Sequence, residues 1–181
     1  RQRFARGETL GPLAHVGSAP NRRGPSVSFV PAAEIFGADM HFKPARLYKL
    51  ARSKAYLFAG VEIRWKCAPG IITDDTPPEA VFQFPGGLAD HLREQIAGRE
   101  CATTDFFVTR QDFPGEAGRV ECAVAWPLWS DGSYSWYCNT IPTPDGGTHE
   151  AGLRAALVKG IRAFGDLVGQ KKAKDISPED I

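Results

Sequence analysis

No run of apolar residues approaches the roughly 20 that a bilayer-spanning helix needs, and the first residues show none of the basic, apolar and small-residue succession of a signal peptide. A soluble, cytoplasmic protein without a membrane partner is expected. Cysteine is scarce and dispersed: Cys67, Cys101, Cys122 and Cys138 form no C-x-x-C pair, and the four histidines are as scattered. Zinc-site spacing is therefore lacking. Cys122 and Cys138 fall instead on alternating apolar strand faces, where a free thiol behaves as a small buried hydrophobe. Charge of one sign is lacking too, with a net +1, so only local clustering can point to nucleic acid. No methionine precedes Arg1, and the chain stops at Ile181 soon after Ser177 and Pro178 open a new element. Both ends are expected to lie inside a longer protein.

Signatures of catalysis are equally thin. There is no G-x-x-x-x-G-K-[ST] loop, G-x-G-x-x-G fingerprint, G-x-S-x-G elbow or H-E-x-x-H helix. Gly86-Gly87 and Gly146-Gly147 each precede a helix, where free amides can hold an anion, but a tight turn that needs glycine geometry is the simpler reading. His149, beside Asp145 and near Cys138 in sequence, has no evident oxyanion donor and reads as a structural histidine at a helix start. Asp74, Asp75 and Glu79 lack a histidine partner and read as a solvated loop.

What is present is a succession of short strands and three strong helices. Arg1–Arg6 reads as a strand end, Gly7–Gly24 as a surface excursion and Ser26–Val30 as a strand ended by Pro31. Pro44 suits the first turn of a helix whose apolar stripe is Leu47, Leu50, Ala51, Leu57 and Phe58, stopped by Gly60. Val61–Lys66 alternates as a half-buried strand does, and Ala80–Phe84 is another. Leu88, Leu92 and Ile96 form the stripe of a second helix. Phe106–Arg110 is a further strand, and Arg119–Trp126 and Ser133–Thr140 are expected to pair through a turn at Asp131-Gly132. Thr148 is the expected N-cap of the longest helix, with Glu150 favoured at its positive end. Leu153, Leu157, Ile161, Phe164 and Val168 form its apolar stripe against that hairpin. Helices on one side of a mixed sheet make an α+β two-layer sandwich.

Basic residues cluster twice. Lys43, Arg46, Lys49, Arg52 and Lys54 lie in a stretch without acids, and Arg154, Lys159, Arg162, Lys171, Lys172 and Lys174 run along and after the last helix. Either set could meet phosphates. Neither has the interleaved aromatics of a single-strand binder or a helix-turn-helix recognition element. On residues alone, a free-standing nucleic-acid-binding α+β module stays open.

The stretch Ile141-Pro142-Thr143-Pro144-Asp145-Gly146-Gly147-Thr148-His149-Glu150-Ala151-Gly152-Leu153-Arg154 resembles the signature of the B subunits of bacterial type IIA DNA topoisomerases. The likeness continues through Glu34-Ile35-Phe36-Gly37, Pro44-Ala45-Arg46-Leu47, Ala51 to Leu57 and Gly60 to Arg64, and so covers nearly the whole chain. In wording, Ala55-Tyr56-Leu57-Phe58 and Thr143-Pro144-Asp145 are closer to the topoisomerase IV branch than to gyrase, with a fragment of the gyrase B subunit as the alternative.

The resemblance implies a domain plan: 1–40 as the closing strands of a GHKL-type ATPase domain, and 41–181 as a transducer with a left-handed β-α-β crossover of ribosomal-protein type. It implies ATP and magnesium in the whole subunit, with none expected on this piece. DNA and the A subunit of topoisomerase IV are the implied partners, together with homodimerisation through the ATPase domain. The family's catalytic glutamate, magnesium-holding asparagine, adenine-binding aspartate and glycine-rich lid would precede Arg1, and its Gln-Thr-Lys lysine would follow Ile181. Where relatives usually carry a threonine after the glycine matching Gly24, this chain has Pro25, which has no hydroxyl. No catalytic, nucleotide or metal residue is therefore assigned. The residues singled out are the turn Asp145, Gly146, Gly147, Thr148 and His149, and the DNA-facing candidates Arg154, Lys159, Arg162, Lys171 and Lys172.

Overall fold

The computed structural model describes residues 1–18, 20–21, 23–115 and 117–181; positions 19 and 22 of the expected excursion lie outside the described residues. Its elements are β1 (Phe4–Ala5), β2 (Glu8–Thr9), α1 (Ala33–Phe36), α2 (Pro44–Leu57), β3 (Glu62–Lys66), β4 (Glu79–Gln83), α3 (Leu88–Gln95), β5 (Phe107–Asp112), β6 (Arg119–Val124), β7 (Tyr137–Cys138), β8 (Ile141–Pro142) and α4 (Thr148–Leu167). The α+β mixture is as expected.

The core is assembled by α2 and the β3–β4 hairpin. Pro44 opens α2, where its missing N–H and fixed φ cost nothing. The helix ends at Leu57, and Gly60, at φ 86°, turns the chain while donating to the Phe84 carbonyl at 3.2 Å. In the antiparallel ladder Ile63 faces Phe82 and Trp65 faces Ala80. Ala55, Tyr56, Phe82 and Phe84 are buried, with Tyr48 set edge-on to Phe82 and Trp65 at centroid distances of 5.0 and 5.8 Å. The expected stripe on α2 is thus displaced. Leu47, Leu50 and Phe58 are exposed, and the first two border an open groove of about 640 Å³ shared with Val27, Phe29, Phe42 and Trp65. Helix α3 rests on α2 and β6, as its stripe requires.

Four expectations need correction. First, Ser26–Val30 forms no strand and has no ladder partner among the described residues, and Val27, Phe29 and Val30 are exposed; β propensity without a neighbouring strand gives no ladder. Second, β6 pairs with β5, in register Thr109 with Cys122, and not with Ser133–Thr140. Tyr137–Cys138 pairs with Ile141–Pro142 across Asn139-Thr140, whose φ angles are 47° and 67°. Positive φ at both central residues suits the right-handed twist of the strands. Cys122 is buried, and burial pushes its thiol above the ordinary range, whereas Cys138 is exposed. Third, α4 lies principally against the 3-10 turns Lys171–Asp175 and Pro178–Asp180 that follow it. Val158 and Gly165 are its buried residues; Leu153, Leu157 and Ile161 are half-buried, and Phe164 and Val168 exposed. Gly165 meets Ala173 so closely that a Cβ there would overlap it. Fourth, a mixed sheet is not formed: all described ladders are antiparallel and two-stranded. Among the described residues no helix is long and apolar enough to cross a membrane.

Candidate functional site

The segment Trp136–His149 builds a turn that delivers the chain into α4. Thr143 donates its amide to the Trp136 carbonyl at 2.9 Å, and the Gly146 amide closes on the Thr143 carbonyl at 3.0 Å. Gly146, at φ 74°, occupies the left-handed region that favours glycine, and a side chain there would collide with the Glu150 carboxylate. Thr148 is the first helical residue and not the N-cap: Gly147 takes that position, with no side-chain cap bond. Glu150 keeps its expected place in the first turn. His149 is exposed, shares a 3.1 Å hydrogen bond with Thr143 Oγ1 and sets its ring edge-on to Trp136 at 6.1 Å. It fastens the turn to the helix, and among the described residues it makes no hydrogen bond to Asp145 or Cys138. Asp145 is exposed on the rim of a cleft of about 540 Å³ lined also by Tyr134, Trp136, Tyr137 and Glu150.

The five basic candidates separate into two kinds. Arg154 is held: its Nε donates to Glu150 at 2.9 Å, its guanidinium lies 4.6 Å over the Tyr134 ring, and Nη1 donates to the carbonyls of Pro178 and Ile181. The Glu150 hydrogen bond raises its pKa above the ordinary arginine value. Arg162 donates from Nε and Nη2 to the Ile176 carbonyl at 2.9 and 2.5 Å. Both arginines therefore grip the tail. Lys159, Lys171 and Lys172 are exposed and project from α4 and the following turn without an ion pair among the described residues, while Lys174 reaches Asp166 at 3.4 Å. In the first cluster, Arg52 pairs with Glu94 at 2.5 Å and Lys54 donates to Thr140, which leaves Lys43, Arg46 and Lys49 exposed.

Neither glycine pair offers an empty anion cradle. The Gly86 amide already donates to Asp90 Oδ2 at 2.6 Å, and Glu150 overlies Gly146. Among the described residues no group of three or more His, Cys, Asp or Glu is placed to hold a metal ion.

Sequence reasoning missed a polar aromatic cluster under the turn. The Tyr56 and Tyr137 hydroxyls are 2.5 Å apart, and the His91 ring stacks on Tyr56 at a centroid distance of 3.8 Å and 11°. Burial first, then the Tyr137 hydrogen bond, pushes Tyr56 well above the usual phenol range. Burial first, then the Arg52 cation, pulls His91 below the ordinary imidazole value, and among the described residues His91 Nδ1 is buried without a hydrogen-bond partner. The three residues come from α2, α3 and β7; the sole trace in sequence is a polar tip within each apolar run.

Comparison with known proteins adds what geometry leaves open. The sequence model of the DNA gyrase B family matches residues 87–181. The B subunit of DNA topoisomerase 4 from Caulobacter vibrioides is 51% identical over 185 residues, 99% of this chain and 26% of that protein. Its counterpart from Bartonella bacilliformis is 44% identical over 100% of this chain and 26% of its own length. The B subunit of DNA gyrase from Thermus thermophilus is 32% identical over 97% of the chain and 26% of its own length. The chain spans about a quarter of the length of these relatives. Among solved structures, the 43K ATPase domain of Thermus thermophilus gyrase B, in complex with an aminocoumarin, superposes with a TM-score of 0.70 at 30% identity, covering 96% of this chain and 45% of that one. The B subunit of Myxococcus xanthus DNA gyrase gives 0.61 at 22% identity over 86% and 43%, a likeness of fold.

Proposed function

This chain belongs to the DNA gyrase B family, and we propose that it is part of the ATP-operated subunit of a topoisomerase IV, in which it couples ATP binding and hydrolysis to the passage of one DNA duplex through another. The observation that carries this reading is the similarity over nearly the whole chain to topoisomerase 4 B subunits, which exceeds that to the Thermus thermophilus gyrase protein. In this reading residues 1–40 finish a GHKL-type ATPase domain. Residues 41–181 belong to a transducer whose left-handed β-α-β crossover requires further strands beside the hairpins described above. The partners are DNA and the A subunit, the ATPase domains dimerise, and the enzyme works in the cytoplasm.

ATP and magnesium would act in the whole subunit. The fit of this chain's own residues is poor: the starts of α3 and α4 are filled by Asp90 and Glu150, and no acid or histidine group suited to a metal is present among the described residues. No chemical step is routed through this piece. Its contribution is mechanical and electrostatic. Exposed Lys159, Lys171 and Lys172 are the groups proposed to face DNA phosphates, while Arg154 and Arg162 hold the tail that carries two of them.

The test is to extend the reading frame in both directions, express the full protein together with its A subunit, and assay interlinked DNA circles. ATP-dependent decatenation is expected. ATP-dependent introduction of negative supercoils would assign the chain to gyrase, and a protein that binds DNA with a steep salt dependence but processes none would make it a binding module.

A further inference from the structure

Two residues of α2, Lys54 and Tyr56, join it to the β7–β8 hairpin at two points. Lys54 Nζ donates to the Thr140 carbonyl and to Thr140 Oγ1 at 2.5 and 2.9 Å, and the Tyr56 and Tyr137 hydroxyls share a hydrogen bond of 2.5 Å. The partners are more than 80 residues apart in sequence. Thr140 lies in the turn of the hairpin and Tyr137 opens its first strand, so the two bonds fix both the position and the tilt of a very short hairpin. The hairpin runs directly into the turn through Thr143, whose amide is held by Trp136 next to Tyr137. That turn sets where α4 starts.

The surroundings are built to keep the connection. Tyr56 is buried and flanked by Phe84 at 5.8 Å and by the stacked His91. Arg52 from α2 and Glu94 from α3 close the same cluster as an ion pair. A hydroxyl pair in such a place is replaceable by apolar rings without loss of packing, so its value lies in direction and register.

We propose that Lys54 and Tyr56 are positioning residues that latch α2 to the β7–β8 hairpin, so that a displacement of α2 is passed through Thr143 and Gly146 to the first turn of α4. Its consequence for strand passage rests on the topoisomerase reading; the mechanical link does not. The latch joins an element near the amino-terminal part of the chain to the helix that carries the gripped tail.

The experiment uses the full-length protein, assembled with its A subunit, and the variants Tyr56→Phe, Tyr137→Phe, the double variant and Lys54→Met. Amide hydrogen exchange is read at Thr143, Gly146 and Ala151, all of which donate backbone hydrogen bonds in the turn. Each single Tyr variant is expected to speed exchange at these amides about five-fold, the effect of one hydrogen bond, with the double variant no worse than either single. DNA passages per ATP hydrolysed should fall by a similar factor while DNA-independent ATP turnover is unchanged. Exchange that changes at position 137 but not at 143–151, or single effects that multiply in the double variant, would overturn the latch. Should a Tyr variant fail to fold, Lys54→Met is read in the same way. Exchange is measured whether or not the enzyme passes DNA, so absence of passage in the unaltered enzyme defeats the functional reading alone.

Discussion

His91 lies flat on Tyr56 with Nδ1 buried and, among the described residues, unpartnered, so a proton added there puts a cation beside the Arg52 guanidinium, with Glu94 as the nearby offsetting charge. Its folded pKa is below the unfolded value. Between the two, the unfolded chain binds a proton that the folded chain does not, and stability rises with pH. The fold should therefore be most secure above about pH 6.5 and lose stability as the pH falls through the lowered folded value. Chemical denaturation midpoints measured from pH 7.5 to 5 should show this decline, and His91→Phe should flatten it; an unaltered decline would place the sensitivity elsewhere. Gly146 makes the opposite kind of demand, set by backbone and not by charge. Gly146→Ala forces a Cβ into the left-handed region and drives Glu150 off Arg154, so a loss of about 1–3 kcal/mol is expected in urea melts. Gly146 was legible because a glycine pair before a periodic apolar run marks a turn. His91 was not, because a stack between residues on two helices has no signature in spacing.

Among the elements, α4 separates periodicity from packing. Its stripe is regular enough to predict a helix, and the helix is there, but the face that becomes buried carries Val158 and Gly165 against the turn at Ala173. Val158→Ala should cost about 2 kcal/mol, and Leu157→Ala, half-buried, about 1 kcal/mol. A reversed order in thermal melts would favour packing of the stripe on a sheet. The same distinction explains the strands. Asp131-Gly132 announces a reversal but cannot name the partner, and β6 instead meets β5, with the Phe113 amide bonded to the Gly118 carbonyl at 2.9 Å. The alternation Tyr134, Trp136, Cys138 is diverted for a related reason: Tyr134 and Trp136 stack on one another at 6.4 Å and flank Arg154, which satisfies the apolar pattern without a ladder.

At the size of the whole chain, each hairpin among the described residues pairs only within itself, and Val27, Phe29 and Val30 are exposed. The expected outcome is that the purified 181-residue chain neither hydrolyses ATP nor relaxes supercoiled DNA, as judged by phosphate release and gel mobility; turnover that survives repeated purification would contradict the expectation that no nucleotide-binding residue lies in this chain. Family membership was legible from several stretches together, of which Ile141 to Arg154 is the strongest. The ladder pattern was not, because pairing is decided by segments distant in sequence. The Asn139-Thr140 turn shows how that distance constrains substitution. Asn followed by Gly is the favoured choice when both central φ angles are positive, and a β-branched residue at 67° is strained, yet Thr140 Oγ1 and carbonyl are the acceptors for Lys54. A library of variants sorted for heat resistance alone should therefore enrich glycine at position 140, whereas one sorted for DNA passage should keep threonine. The least comfortable residue of the hairpin would then be the one that selection for work preserves.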